Sequence, residues 1–354
     1  MTIRDRWGLR GPVQSCRLER RRFLSRCGAD TCEAEEHGDM SNVEFRPDGS
    51  LARQWHRNPD GSEWTTTLQY DHAGRLLTVR EENTAGLVGV QIYEYDTAGR
   101  LARLIARDKD GSERVAETYA YDIAGRKKKT LYVDLATQRP NTQYAWGVEG
   151  SDSSYSAPGA ATLTTIYDER ERPNTLLFHD VQGRLLSRVE FRYDEAGHLV
   201  EEAQTKADDA MPPEMLAQLN AAQLEALRTL FGAARQLHRY DKQGCRIETR
   251  SQLGPLGGHR KTMAYNDHGD QTEEVFEHET REHAMDDQGR LSDSPTKESA
   301  KRSEARFRYI YDTRGNWVEK VIEGRGGVDQ DFTVSSIERR LLAYYDENNQ
   351  IGQL

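Results

Sequence analysis

The sequence predicts an all-β fold of antiparallel hairpin repeats, and three observations carry that expectation. A Tyr-Asp-x-x-Gly turn recurs along the chain, a glycine-closed turn falls about every dozen residues, and the segments between turns alternate as strands do. Tyr70-Asp71-His72-Ala73-Gly74-Arg75-Leu76 returns as Tyr95-Asp96-Thr97-Ala98-Gly99-Arg100-Leu101 and again from Tyr121 through Asp122 and Gly125. Further copies begin at Tyr193 (Asp194, Gly197), Tyr240 (Asp241, Gly244) and Tyr311 (Asp312, Gly315). Tyr167, Tyr265 and Tyr345 open degenerate copies, with Glu171 at the glycine position of the first and Asn266 at the aspartate position of the second.

A second set of turns lacks the tyrosine: Pro47-Asp48-Gly49, Pro59-Asp60-Gly61, Asp110-Gly111, Asp180 to Arg184, and Asp287 to Arg290. Gly49, Gly61 and Gly74 are 12 and 13 positions apart, which leaves about eight residues per strand, the usual length between short hairpin loops. The turn chemistry is coherent. Asp accepts from backbone amides two residues on, and Gly supplies the positive φ that closes the hairpin. Between turns, Val88, Val90 and Ile92 share one face while Tyr93 and Tyr95 share the other.

Composition agrees. Only 36% of the 354 residues are hydrophobic, 31% are charged, and mean hydropathy is −0.88, polar for a compact multilayer core but suited to strands that bury one face. Net charge is −10, and the basic residues are interleaved with acids, which argues against nucleic acid as the partner. No apolar run is long enough to span a membrane. Arg20-Arg21-Arg22-Phe23-Leu24 has the look of a twin-arginine export signal, but Ser25 to Asp30 follows in place of an apolar segment, so no intact signal peptide is read. Cys16, Cys27 and Cys32 crowd this region; Cys27 and Cys32 have a spacing zinc sites use, but only His37 lies near as a further ligand. Residues 1–40 show no repeat and read as a poorly ordered tail ahead of a repeat domain over 41–354.

The Tyr-Asp-x-x-Gly-Arg-Leu copies resemble the YD repeats of the RHS and teneurin families, from about residue 42 onward. The resemblance implies β-hairpins curled into a spiral shell or cocoon, an association with carbohydrate or cell surfaces, and an extracellular or cell-envelope location. RHS toxin carriers close their shell with a Gly-Arg-Phe and Asp-Pro element that releases a C-terminal toxin. No such element follows Tyr311, which implies a stand-alone member. The expected architecture is a curled sheet, open spiral or partial shell; hairpins of this length also serve barrel-like shells and propeller blades.

Three segments break the pattern. Residues 143–161 form a serine-rich polar loop containing Trp146 and Tyr155, either a linker or a binding loop. Within an insertion at 207–234, residues 213–231 predict the one amphipathic helix: Asp208 and Asp209 cap it, Pro212 and Pro213 suit its first turn, Gly232 ends it, and Leu216, Leu219, Leu227, Leu230 and Phe231 form a stripe. That helix packs on the sheet, caps one end of it, or meets a partner. Residues 281–303 add a further hairpin turn near Gly289.

Catalytic signatures are missing: there is no Gly-x-Ser-x-Gly, His-Glu-x-x-His, Walker loop or dinucleotide fingerprint. With 59 Asp and Glu, some pair meets a glycosidase spacing by coincidence. Asn266, Asp267 and Asp270 around Gly269 offer oxygens that could hold Ca²⁺, or are simply another YD turn. His268, His278 and His283 have no spacing with metal-site logic. Trp55, Trp64, Trp146, Tyr155 and Trp317 offer flat faces for sugar rings, or are cross-strand packing pairs. The reading is a non-catalytic scaffold or binding protein, without a cofactor, that presents a β-surface to a glycan or protein. The alternatives are a glycan hydrolase with paired acids and a shell component of a secreted toxin or adhesion assembly.

Overall fold

A computed structural model describes residues 3–27, 32–134, 139–140, 157, 159–206, 220, 223, 233–252, 254–284, 286, 292 and 294–345. A short helix, α1 (Ile3–Arg6), precedes β1 (Val13–Cys27), β2 (Cys32–Phe45), β3 (Leu51–Arg57), β4 (Glu63–Tyr70), β5 (Leu76–Asn83) and β6 (Gly86–Tyr95). Next come β7 (Leu101–Asp108), β8 (Glu113–Tyr121), β9 (Lys127–Asp134), β10 (Arg139–Pro140), β11 (Thr162–Tyr167), β12 (Pro173–His179) and β13 (Leu185–Tyr193). The rest are β14 (Leu199–Lys206), β15 (Ala233–Tyr240), β16 (Arg246–Gln252), β17 (Gly257–Tyr265), β18 (Gln271–Glu282), β19 (Lys297–Tyr311), β20 (Trp317–Arg325) and β21 (Thr333–Tyr344).

All pairings are antiparallel and between chain neighbours, apart from β9 with β11, β10 pairing with β9 alone, and the closure pair of β1 with β21. β1 pairs on one side with β2 and on the other with β21, from Val13↔Tyr344 to Arg22↔Ser336. The result is a closed barrel of 20 strands. An all-antiparallel ring closes only on an even number, and closure removes the sheet edges that would template aggregation.

The all-β antiparallel expectation holds, and the expected open sheet, spiral or partial shell is corrected to a closed barrel. The correction turns on residues 13–27, read above as part of a tail. Glycine turns announce where strands are joined, not the strands themselves, and β1 has no YD turn before it. Its alternation is present but polar: Cys16, Leu18 and Arg20 share one face, and Arg17, Glu19 and Arg21 the other.

The YD turn is one device repeated. The Asp71 N–H donates to the Arg75 carbonyl at 2.9 Å, and the Gly74 N–H donates to the Asp71 carbonyl at 3.1 Å. Asp71 Oδ1 accepts the Ala73 and Arg75 N–H groups at 2.9 and 2.8 Å, while Oδ2 accepts Arg75 Nε at 2.7 Å. The same bonds recur at Asp96, Asp122 and Asp180. Gly74 sits at φ 79°, and at the degenerate copy Glu171 takes φ 57°, where an L-residue costs roughly 1–2 kcal/mol.

Alternation along the ring puts every YD turn on one rim, and there the motif's other residues become intelligible. Each tyrosine reaches back to the preceding YD turn. Tyr95 OH donates to the Leu76 carbonyl at 2.8 Å, and the Arg75 guanidinium lies 4.8 Å from the Tyr95 ring centroid. Tyr121 does the same with Leu101 and Arg100, and Tyr193 with Pro173 and Arg172. Tyr240 bonds the Leu199 carbonyl and stacks on His198 at 4.6 Å. Tyr345 OH donates to the Phe45 carbonyl, carrying the strap across the seam.

The carboxylates of this device make a pH prediction. Backbone N–H bonds, then the neighbouring Arg or His side chain, hold Asp71, Asp96 and Asp194 below the usual carboxylate range; at Asp122 the Arg126 side chain leads. A depressed folded pKa stabilises above the unfolded value of about 3.9, and that contribution is lost as pH falls through the folded values. The melting temperature is therefore expected to be flat between pH 7 and 5 and to fall below about pH 4. A melting temperature unchanged down to pH 3 would contradict it.

The two faces of the wall differ. On β13, Ser187, Val189 and Phe191 are buried while Arg188, Glu190 and Arg192 are exposed. In a closed cylinder the concave side is the sheltered one, so the first set faces the lumen. Three apolar clusters line that side, drawn from adjacent strands and, for Leu9, from the segment before β1: Leu176, Phe178, Val189, Phe191 and Leu199; Leu9, Val13, Cys16, Val43 and Phe45; Leu104, Ala106 and Ala116.

The convex face is ion-paired. Glu248 takes Arg239, Arg250 and Arg260 at 3.0, 3.0 and 2.9 Å, and Arg302 bridges Glu277 and Glu304 at 2.7 and 2.9 Å. The arginines of these pairs are exposed, although the Glu248 carboxylate beneath three of them is only 6% exposed, and a bilayer would cost about 2–4 kcal/mol for each Arg placed at its midplane. Among the described residues no helix is long and apolar enough to cross a membrane.

The predicted helix over 213–231 lies outside the described residues except at Asn220 and Gln223. There Gln223 is helical, and the two residues exchange backbone-to-side-chain bonds of 2.8 and 3.0 Å, a capping box.

Candidate functional site

The lumenal wall holds a buried polar cluster. Pairing of β14, β15 and β16 brings Glu202, His238 and Thr249 together on the concave face. His238 Nε2 lies 2.8 Å from Glu202 Oε1, and His238 Nδ1 lies 3.0 Å from Thr249 Oγ1. The histidine and glutamate side chains are 0% and 1% exposed. Both imidazole nitrogens are thus engaged, and the carboxylate sits where an unpaired charge would cost several kcal/mol. A cation serves other lumenal carboxylates: Lys129 lies 2.7 Å from Glu117, Arg20 2.7 Å from Glu338, and Lys261 2.9 Å from Glu274. Tyr119 donates to Glu117, and burial pushes its phenol well above the ordinary range.

Between these pairs the wall is neutral and hydrogen-bonding. Gln204 Nε2 donates to Ser187 Oγ at 2.9 Å, and Ser187 Oγ donates to the Thr205 carbonyl at 3.0 Å. Gln91 and Ser251 are buried on the same face. Charged ladders therefore face outward, while the concave wall holds hydroxyl, amide and imidazole groups, buried and largely bonded to one another, with ion pairs set among them.

The aromatic candidates do not converge. Trp55 and Trp64 lie on neighbouring strands but on opposite faces, Trp55 pairing with Thr65 and Trp64 with His56. Trp55 carries Arg57 at 5.6 Å on the convex side; Trp64 stacks on His56 in the lumen with centroids 6.3 Å apart. Trp317 is covered by the Arg340 guanidinium at 3.6 Å. Trp146 and Tyr155 lie outside the described residues.

The oxygens offered as Ca²⁺ ligands are engaged in the turn. Asn266 Oδ1 accepts the His268 and Asp270 N–H groups at 2.9 and 3.0 Å, as the aspartates of the other turns do. Asn266 Nδ2 donates to Tyr311 OH, and Tyr311 OH donates to Asp270 Oδ2, both at 2.8 Å. Burial, then the bond to Asp270, raises the Tyr311 phenol to about 12. Asp267 has no hydrogen-bond or ion-pair partner among the described residues. Among the described residues, no three or more His, Cys, Asp or Glu side chains group as a metal site.

No family model matches the chain, and no curated protein matches it. Solved structures similar to it include the TcdB2-TccC3-Cdc42 complex, 12% identical, covering 90% of this chain and 19% of that one at a TM-score of 0.26. A Photorhabdus luminescens Tc holotoxin pore is 13% identical, covering 89% and 18% at 0.25. A porin-like protein from Bacteroides uniformis is 9% identical, covering 95% and 98% at 0.28. The chain spans about a fifth of the length of the two toxin structures.

Sequence reasoning missed Glu202, His238 and Thr249. They lie 36 and 11 positions apart on three strands and make no local motif. One signal was available: lumenal positions Gln236 and His238 alternate with Arg235, Leu237 and Arg239, and Thr249 and Ser251 with Glu248 and Arg250, so both faces of these strands are largely polar but of different kinds.

Proposed function

We propose that this chain is a non-catalytic YD-repeat shell protein that binds an extended ligand, a polypeptide or a glycan, along the lumenal wall of its barrel. The observation that carries the reading is the difference between the faces: Arg–Glu ladders on the convex side, and hydroxyl, amide and imidazole groups on the concave side. The half-buried lumenal side chains Gln54, His56 and Trp64 can meet a backbone or a sugar without demanding a charge from it, while the buried polar and apolar groups behind them hold the wall in shape. The motif supports membership of the YD-repeat group, since Tyr, Asp, Gly and Arg each serve the rim strap. Paired lumenal carboxylates support a holding role over acid–base chemistry, because a cation or imidazole already engages Glu117, Glu202, Glu274 and Glu338.

The test uses two probes, reduced carboxymethylated α-lactalbumin and a glycan array. Trp64→Ala, on the lumenal side, should weaken binding of whichever probe is held by about tenfold, the loss of one buried aromatic contact of about 1.5 kcal/mol. Trp55→Ala, on the convex side, should leave it unchanged. Loss with Trp55→Ala alone, or binding of neither probe, would overturn the proposal.

A further inference from the structure

At the rim opposite the tyrosines, two hairpins outgrow the barrel. β1 and β2 stay paired to Cys27↔Cys32, but β1 leaves β21 at Arg22↔Ser336. β18 and β19 stay paired to Glu282↔Lys297, but β19 leaves β20 at Glu304↔Arg325. The strands between them, β20 and β21, turn back at 326–332. A notch results, bounded by the β19 edge at 297–303 and the β1 edge at 23–27. Three steps of strand spacing separate these edges, on the order of 14 Å, so the gap is two strands wide.

The β19 edge is a ladder with one side unused. All seven residues from Lys297 to Ser303 are exposed, and on the side away from β18 their backbone groups have no strand partner among the described residues. Long exposed edges invite pairing, and natural barrels remove them. The charge on this one selects what may pair. Lys297, Lys301 and Arg302 stand against Glu298 along it. Arg302 already bridges Glu277 and Glu304, but the Lys297 pair is a weak one: Lys297 meets Glu282 at 3.1 Å with both side chains about two-thirds exposed (67% and 65%).

We infer that the notch is a docking site for an extended acidic segment of a partner polypeptide, added as a strand to the 297–303 edge of β19. Main-chain bonds to the edge supply affinity, and alternate acidic side chains meeting Lys297 and Lys301 supply selectivity. The site is on the outer rim and does not depend on what the lumen holds.

The test measures fluorescence anisotropy of the whole protein with labelled nonapeptides alternating Glu and Val, or Lys and Val. The Glu-Val peptide should bind at least tenfold more tightly. Lys297→Glu/Lys301→Glu, at exposed positions that leave the melting temperature in place, should abolish that preference. A Glu-Val peptide methylated at alternate backbone nitrogens should lose binding. Equal affinity for both peptides, or indifference to the double substitution or to methylation, would overturn the inference. So would a self-associated protein that the double substitution splits, because the occupant would then be a second copy.

Discussion

Removal of residues 1–27 is expected to take the protein out of solution. β1 is the seam: its loss leaves β2 and β21 with open edges along most of their length. It also empties the cluster of Leu9, Val13 and Cys16 against Val43 and Phe45. Those three side chains alone represent about 5 kcal/mol of burial, comparable with the 5–15 kcal/mol that holds a typical domain together. Unpaired edges then direct the unfolded or half-open chain into intermolecular sheets. Sedimentation and soluble yield check this; a soluble truncated protein with the melting temperature of the full chain would refute it.

The second large effect is expected at His238. His238→Ala takes the imidazole from a carboxylate that is 1% exposed, a class of change that costs about 3–5 kcal/mol. Glu202→Leu/His238→Leu should recover most of the loss, because replacing both buried partners with apolar groups is often neutral. Urea unfolding of the two variants reads both numbers. A cost below about 1 kcal/mol for His238→Ala would mean that the pair is solvated and that the lumenal wall is not sheltered.

The turns were legible because their chemistry is local. Asp71 and Gly74 lie three positions apart and satisfy each other's backbone, so the spacing itself encodes the geometry. Tyr95 and Arg100 were visible as repeat members, but their purpose was not: the strap runs from one YD turn to the next, about 19 positions away for Tyr95 and Leu76. Closure was hidden for a stronger reason. The Cys16↔Leu342 pairing spans nearly the whole chain, and β1 announces itself by neither a YD turn nor an apolar stripe. The lumenal cluster was hidden likewise, since Glu202, His238 and Thr249 meet only after three strands register.

Closure is tested most directly at the seam. In a protein whose own cysteines are replaced (Cys16→Ala, Cys27→Ser, Cys32→Ser, Cys245→Ser), Arg17→Cys and Leu341→Cys place two thiols on partnered convex positions of β1 and β21. Mild oxidation should join them within one chain, while Arg17→Cys with Ile310→Cys, which puts the second thiol on β19, should stay reduced. Thiols at 17 and 341 that remain free, or that link only between molecules, would contradict a closed ring.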